Sequence, residues 1–195
     1  MALTKLNARS ATALDATVLT GNLPSISGAS LTGLTPGISV ARSWRQNTNT
    51  TISGTGVRFL TANWEALDQT VEGEIGTNLT ESSGVFSFPS TGIYYVTFSL
   101  YCNLENDDYH FRNIIHATSD NSNYNLLAQG SSGIERSSGS YQFSAIAHSL
   151  FDVTDTSNCK LKFGYNSALN PTNSAIYGNT SYNQTSAIFI RLGDT

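Results

Sequence analysis

The sequence predicts an all-β chain, an antiparallel β-sandwich or jelly roll, on three observations. Ser, Thr, Asn and Gly together supply 83 of the 195 residues. Ser and Asn compete for helical backbone groups, whereas Thr and aromatic side chains pack well on a pleated surface. Charged residues make up only 12%, against roughly 25% in an average soluble protein, too few for a helical bundle or coiled coil laced with ion pairs. Strand-like runs also alternate with Gly, Asn, Ser and Asp clusters, with no amphipathic helix between them. Nine Tyr, nine Phe and two Trp provide the apolar area that a disordered chain lacks.

Residues 1–37 stand apart. They contain no Phe, Tyr, Trp or His, and Leu19, Leu23, Ile26, Leu31 and Leu34 recur between Gly, Ser and Pro. Such a piece cannot form a core by itself. It reads equally as an extended stalk that buries its apolar side against copies of itself or a neighbour, or as a flexible linker.

Residues 38–195 read as the folded head. Its strands are expected, in order, at 39–44, 57–60, 85–88, 93–102, 111–118, 125–129, 141–153, 160–165 and 185–192. In the fourth, Tyr94, Val96, Phe98 and Leu100 are all apolar and face the core, while Ile93, Tyr95, Thr97 and Ser99 are mixed. That second face meets either solvent or another subunit, and Ile93 and Tyr95 favour the subunit. The last run is apolar on both sides, with Ile188, Ile190 and Leu192 on one face and Ala187, Phe189 and Arg191 on the other. A strand of this kind belongs mid-sheet or at a subunit interface, since exposed it would aggregate. The candidate interface residues are Ile93, Tyr95, Ala187, Phe189 and Arg191.

Composition excludes several functions. A net charge of −4 and a pI near 5.2 give no basic field for nucleic acid. No run of about 18 apolar residues suggests a membrane span, and the first residues lack the apolar stretch and cleavage site of a secretory signal. Cys102 and Cys159 are too few for a disulfide framework or a zinc site and read as buried hydrophobes. The sequons at Asn49, Asn78, Asn179 and Asn183 are what so many Asn and Thr residues produce by chance.

The segment Gly84-Val85-Phe86-Ser87-Phe88-Pro89-Ser90-Thr91-Gly92-Ile93-Tyr94-Tyr95-Val96-Thr97-Phe98 resembles the Gly-x-Phe-x-x-Pro-x-x-Gly-x-Tyr-x-x-x-Phe stretch of the complement C-one-q and tumour necrosis factor jelly-roll superfamily. Val57-Arg58-Phe59 with Asn63-Trp64, residues 147–153 and the apolar final strand are similar to other parts of that family. Pro89 cannot donate to a ladder and Gly92 frees the turn, so the chain reverses there. The resemblance, over residues 38–195, implies a ten-strand sandwich that trimerises about a three-fold axis. The phrase Leu23-Pro24-Ser25-Ile26-Ser27-Gly28-Ala29-Ser30-Leu31-Thr32-Gly33-Leu34 resembles segments that precede the tip domains of bacteriophage tail fibres and other virion appendages.

Together these resemblances imply a homotrimeric, non-enzymatic phage tail-fibre tip. It would be made in the host cytoplasm, joined to other virion proteins through residues 1–37, and bound to a host-surface glycan or protein. The alternatives are a capsid-decorating head fibre or other structural virion protein, a small glycan hydrolase, and a cellular C-one-q-like protein. Against catalysis, His110, His116 and His148 are scattered, and no nucleophile, phosphate-loop or His-Glu-x-x-His motif occurs. A depolymerase would usually need a long parallel β-helix, for which there is no room.

Receptor contacts are expected from loops that combine aromatic rings with amides and carboxylates, as saccharide sites do. The candidates are Asp107, Asp108, Tyr109, Asn123, Tyr124, Tyr177, Asn179 and Tyr182. Calcium, which takes six to eight oxygen ligands, has candidates in Glu105, Asp107, Asp108 and Asp120, although such clusters also occur as solvated turns. His116 or His148 on a three-fold axis is a further place for an ion.

Overall fold

The computed structural model describes residues 37–105, 108–134, 141–168 and 172–195, with the side chains of 108–110 and 133–134 outside that description. The expected stalk therefore falls, apart from Gly37, outside the described residues. Among the described residues the regular elements are all strands: β1 (Val40–Gln46), β2 (Thr50–Thr51), β3 (Gly56–Phe59), β4 (Trp64–Ala66), β5 (Thr80–Ser82), β6 (Val85–Ser87), β7 (Gly92–Leu104), β8 (Asp108–Thr118), β9 (Asn125–Ile134), β10 (Tyr141–Val153), β11 (Lys160–Ser167), β12 (Ala175–Ile176) and β13 (Ser186–Gly193).

All nine expected strands are present. The four additional ones, β2, β4, β5 and β12, have two or three residues each, too few to display an alternation. Every pairing is antiparallel, in two sheets. In the seven-stranded sheet β7 pairs with β10 on one side and with β13 and then β12 on the other, and β1 and β4 continue beyond β13. The six-stranded sheet runs β5-β6-β11-β8-β9, with β3 also on β11. The chain passes from β7 to the second sheet for β8 and β9, back for β10, across for β11 and back again for β12 and β13. That alternation between layers is the jelly-roll winding.

The two inner faces meet over a core of rings. Phe86 lies 5.1 Å from Trp64, 5.2 Å from Phe163 and 5.4 Å from Phe189, and Phe98 lies 4.9 Å from Phe163. Fully burying a ring of this size contributes roughly 1.5–3 kcal/mol. As the alternation predicts, Tyr94, Val96, Phe98 and Leu100 are all buried. Tyr94 closes the turn before its own strand, donating its hydroxyl to the Ser90 carbonyl at 3.0 Å. Gly92 has φ +135°, and a β-carbon there would lie 2.4 Å from the Gly193 carbonyl oxygen. The signature glycine thus lets β7 start against the end of β13. Asn63, in the turn before Trp64, is left-handed at φ 65°, a conformation that Asn tolerates better than most residues.

One polar side chain ties the layers together. Asn113 of β8 donates to the carbonyls of Phe98 on β7 and Ala145 on β10, and accepts from the Gly130 amide on β9. Cys102 and Cys159 are buried free thiols, as expected, and burial pushes the Cys102 thiol well above its ordinary range.

Candidate functional site

The seven-stranded sheet turns one face to the core and the other outward. Strand register fixes what the outward face carries. Leu150, Tyr95 and Ile190 form one row across β10, β7 and β13, and His148, Thr97 and Ile188 form the next. Ile146 is 62% exposed, Leu150 57%, Leu192 49% and Ile188 39%. Ile93, Tyr95 and Ile190 are half-buried on the same side, and the His148 ring lies 6.2 Å from that of Tyr95. Apolar side chains this close together on an exposed sheet mark an interaction surface. Toward the far end of β7 the face becomes polar and aromatic, where the Tyr101 hydroxyl donates to Gln142 Oε1 at 2.5 Å and the Tyr101 and Tyr177 rings are 5.3 Å apart.

Three interface candidates need correction. Ala187 and Phe189 are fully buried inside one protomer, with Phe189 packed on Phe86, Phe88 and Phe163. Arg191, also on the inward-facing register, anchors the strand end. Its Nε donates to the Thr91 carbonyl at 2.7 Å, Nη1 donates to Ser39 Oγ at 3.1 Å, and Nη2 pairs with Asp194. Both sides of β13 are apolar, so alternation alone could not say which side is inward. The core needs a ring at 189, and Ile188, Ile190 and Leu192 take the outward side.

The edge of this face carries a strap. Residues 65–74 cover Arg45, which is fully buried. Its Nε donates to Glu65 Oε2 at 3.2 Å, Nη1 to Glu72 Oε1 at 2.9 Å and Nη2 to Asp68 Oδ1 at 2.5 Å. Burial works against the charge, but the hydrogen bonds and fields of Glu65, Glu72 and Asp68 prevail and raise the guanidinium's proton affinity. Glu72 Oε2 also accepts from the Gln69 amide, and Arg42 pairs with Glu74. The sequence signal was the density of carboxylates between 65 and 74 opposite two arginines.

The receptor candidates divide between the two ends of the sandwich. Asp107 lies outside the described residues. Asp108 and Tyr109 belong to β8 rather than to a loop, because the strand extends until Asp108 pairs with Ile134. Tyr177, Asn179 and Tyr182 lie in the connection from β12 to β13, nearer this end. The Tyr177 amide donates to the Tyr101 carbonyl at 2.8 Å, while Thr185 Oγ1 receives the Tyr101 amide at 3.1 Å and donates to the same carbonyl at 3.2 Å. Asn179 is structural, its amide donating to the Gln46 carbonyl and its Oδ1 accepting from the Ser181 amide. Tyr182 is 55% exposed.

Asn123 and Tyr124 sit at the opposite end, between β8 and β9. Asn123 secures a turn around Asp120, whose carboxylate accepts from the Asn123 amide at 2.8 Å, Asn123 Nδ2 at 2.7 Å, Thr118 Oγ1 at 2.8 Å and the Ser122 amide at 2.9 Å. These donors, led by the Asn123 main chain, hold Asp120 far below the usual carboxylate range. Asp155 is similarly lowered, chiefly by the Ser157 amide, and the two turns meet where the Asn121 amide donates to the Asn158 carbonyl at 3.0 Å. Asp120 is therefore a turn clamp whose oxygens already face donors. Glu105 is likewise engaged, accepting from Asn103 Nδ2 at 2.8 Å. Among the described residues, no three His, Cys, Asp or Glu side chains are grouped as a metal site.

No family model and no curated protein matches the sequence. Solved structures do match in shape. Murine APRIL at pH 8.5 aligns with a TM-score of 0.56 and 12% identity, covering 78% of this chain and 98% of its own. Eiger TNF from S. frugiperda aligns with a TM-score of 0.59 and 14% identity, covering 82% and 96% respectively. The fold is thus a tumour necrosis factor-like jelly roll.

Proposed function

We propose that this chain is a non-enzymatic, homotrimeric virion appendage, the tip of a phage tail fibre, whose head binds a receptor on the host surface. The observation that carries the reading is the outward face of the seven-stranded sheet. Tyr95, Ile146, Leu150, Ile188, Ile190 and Leu192 expose one apolar surface on a sandwich whose own core is already filled. Three copies meeting through this face would bury it, and the family resembled in sequence would associate about such an axis. The low charge fits a surface largely spent on contacts between copies, and the Leu- and Gly-containing phrase at 23–34 suits a stalk leading to a virion. Three heads on each fibre and several fibres on a particle would multiply weak receptor contacts through effective concentration.

Light scattering on the purified chain tests the assembly. The expected mass is three times the 20.9 kDa of one chain, and a particle of one chain's mass overturns it. Binding of the trimer to host cells, with competition against infection, tests the adhesin reading, which falls if neither occurs. Antibody labelling of virions at the capsid instead of the tail would replace the tail-fibre assignment.

A further inference from the structure

We propose that the outward face of the six-stranded sheet carries a binding site for an acidic saccharide, centred on Lys162. The inference rests on the receptor-binding reading and deepens it by giving a ligand class and a place. Lys162 of β11 lies between His116 of β8 and Val85 of β6 in the sheet register. Its ammonium stands 3.8 Å from the centroid of the Tyr124 ring and 5.6 Å from that of Phe59. The His116 ring meets Phe59 edge-on at 5.1 Å and hydrogen-bonds the Tyr124 main chain. Three side chains, from β3, β8 and the β8–β9 turn, thus surround one half-buried cation on β11.

The arrangement sets the ammonium against ring faces. A ring face attracts a cation but offers no oxygen to its N–H groups. Among the described residues, Lys162 has no hydrogen-bond or ion-pair acceptor and rests on the two rings. A carboxylate would supply that acceptor in a short, charge-assisted bond. The surroundings favour an anion as well. The other ionised side chains at outward positions near it are Lys160 and Arg112, and no outward-facing position of β3, β5, β6, β9 and β11, or of β8 from Phe111 on, is Asp or Glu. Asp120, in the adjoining turn, is already surrounded by donors.

A saccharide fits better than a phosphate or an acidic peptide for two reasons. Rings at the site suit the C–H faces of a pyranose, and the outward positions nearby, Ser87, Asn166, Gln129 and Ser131, offer the hydroxyls and amides that pair with sugar hydroxyls. Leu126, Gln129 and Ser131 of β9 are exposed on this face, which lies on the sheet opposite the one that carries the apolar outward residues.

The test uses the full chain and calorimetric titration with a glucuronate tetrasaccharide, an α2,8-linked sialic acid tetramer and the carboxyl-reduced form of each. Binding of at least one acidic probe is expected, weakened at least about tenfold by carboxyl reduction or by Lys162→Gln. Lys162→Arg should retain binding, since a guanidinium also rests on rings, and Lys160→Gln should bind within about twofold of the parent. Thermal melts confirm that each variant is folded. The proposal is overturned if neither acidic probe binds, if reduced and acidic forms bind alike, or if folded Lys162→Gln binds as tightly as the parent. Light scattering on the same samples separates the two readings: a trimer that binds cells but no acidic saccharide sinks only this site, and a monomer that binds the saccharide sinks only the assembly.

Discussion

Asn113 Nδ2 donates to the Ala145 carbonyl at 3.1 Å, across the gap between the two sheets and with both groups buried. The same nitrogen reaches the Phe98 carbonyl at 2.8 Å, and Oδ1 takes the Gly130 amide at 2.9 Å. One amide therefore matches two acceptors and one donor on three strands, which neither a carboxylate nor an alkyl group can do.

Asn113→Asp should consequently destabilise the head by about 3 kcal/mol or more, because an oxygen would face two carbonyls in a dry site, and Asn113→Ala should cost about 2–4 kcal/mol. Urea unfolding measures both, and an unchanged midpoint for either would mean that these bonds contribute nothing.

Neighbouring residues on β13 should behave in opposite ways. Phe189→Ala empties the space between Phe86, Phe88 and Phe163 and is expected to cost about 3–5 kcal/mol of protomer stability. Ile188→Lys, on the exposed side, should leave the protomer folded and shift light scattering from trimer to monomer. The reverse pattern would mean that the two faces of the strand are misassigned.

Arg45→Met should destabilise by about 3 kcal/mol, since Glu65 and Glu72, whose side chains are only 23% and 18% exposed, would lose the cation they surround. Loosening should centre on the strap, so limited proteolysis should cut within residues 67–74 faster than in the parent. Equal cutting rates would show that the strap is held by something else.

Acid should weaken the head in two stages. Burial, reinforced by the charge of Lys162, lowers the proton affinity of His116 below its ordinary 6.5, against the opposing hydrogen bond to Tyr124. The unfolded chain then binds the proton more readily, so stability is full above about pH 6.5 and falls as pH drops toward the folded-state value. Asp120 and Asp155 are also lowered, from an ordinary 3.8, and their contribution is lost only in stronger acid. Denaturant midpoints at pH 7.5 and 5.5 check the first stage. His116→Gln should remove most of that difference, and an undiminished difference would assign it to another group.

The long strands were legible because their residues alternate: Tyr94, Val96, Phe98 and Leu100 could face only inward. The winding was legible through Gly84 to Phe98, where turn glycines, a proline and inward rings stand at fixed spacing. The two apolar faces of β13 correctly marked a strand inside a sheet, but alternation gives no direction when both faces are apolar, so Ala187, Phe189 and Arg191 were placed on the wrong side. Ala175–Ile176 takes the edge of β7 that extends beyond β13, and Thr50–Thr51 pairs in turn with Ala175–Ile176, both too short to have a pattern of their own. The loop candidates looked like one set because they share a composition, but strand direction sends Asn123 and Tyr124 to one end and Tyr177 and Tyr182 toward the other. Lys162, Phe59 and His116 are more than forty positions apart in the chain, and only the register of β3, β8 and β11 makes them neighbours.

Both ends of residues 177–185 are fastened to Tyr101, one through the Tyr177 amide and the other through Thr185 Oγ1. A segment closed at its neck passes little strain to the sheet below when its tip changes. Substitutions around Tyr182 can therefore accumulate without any need for the sandwich to repack. Residues 181–184 can drift at their own rate, while the bonds of Gly178, Asn179 and Thr180 to Asn49, Gln46 and Glu65 keep the first half of the segment tied to the scaffold.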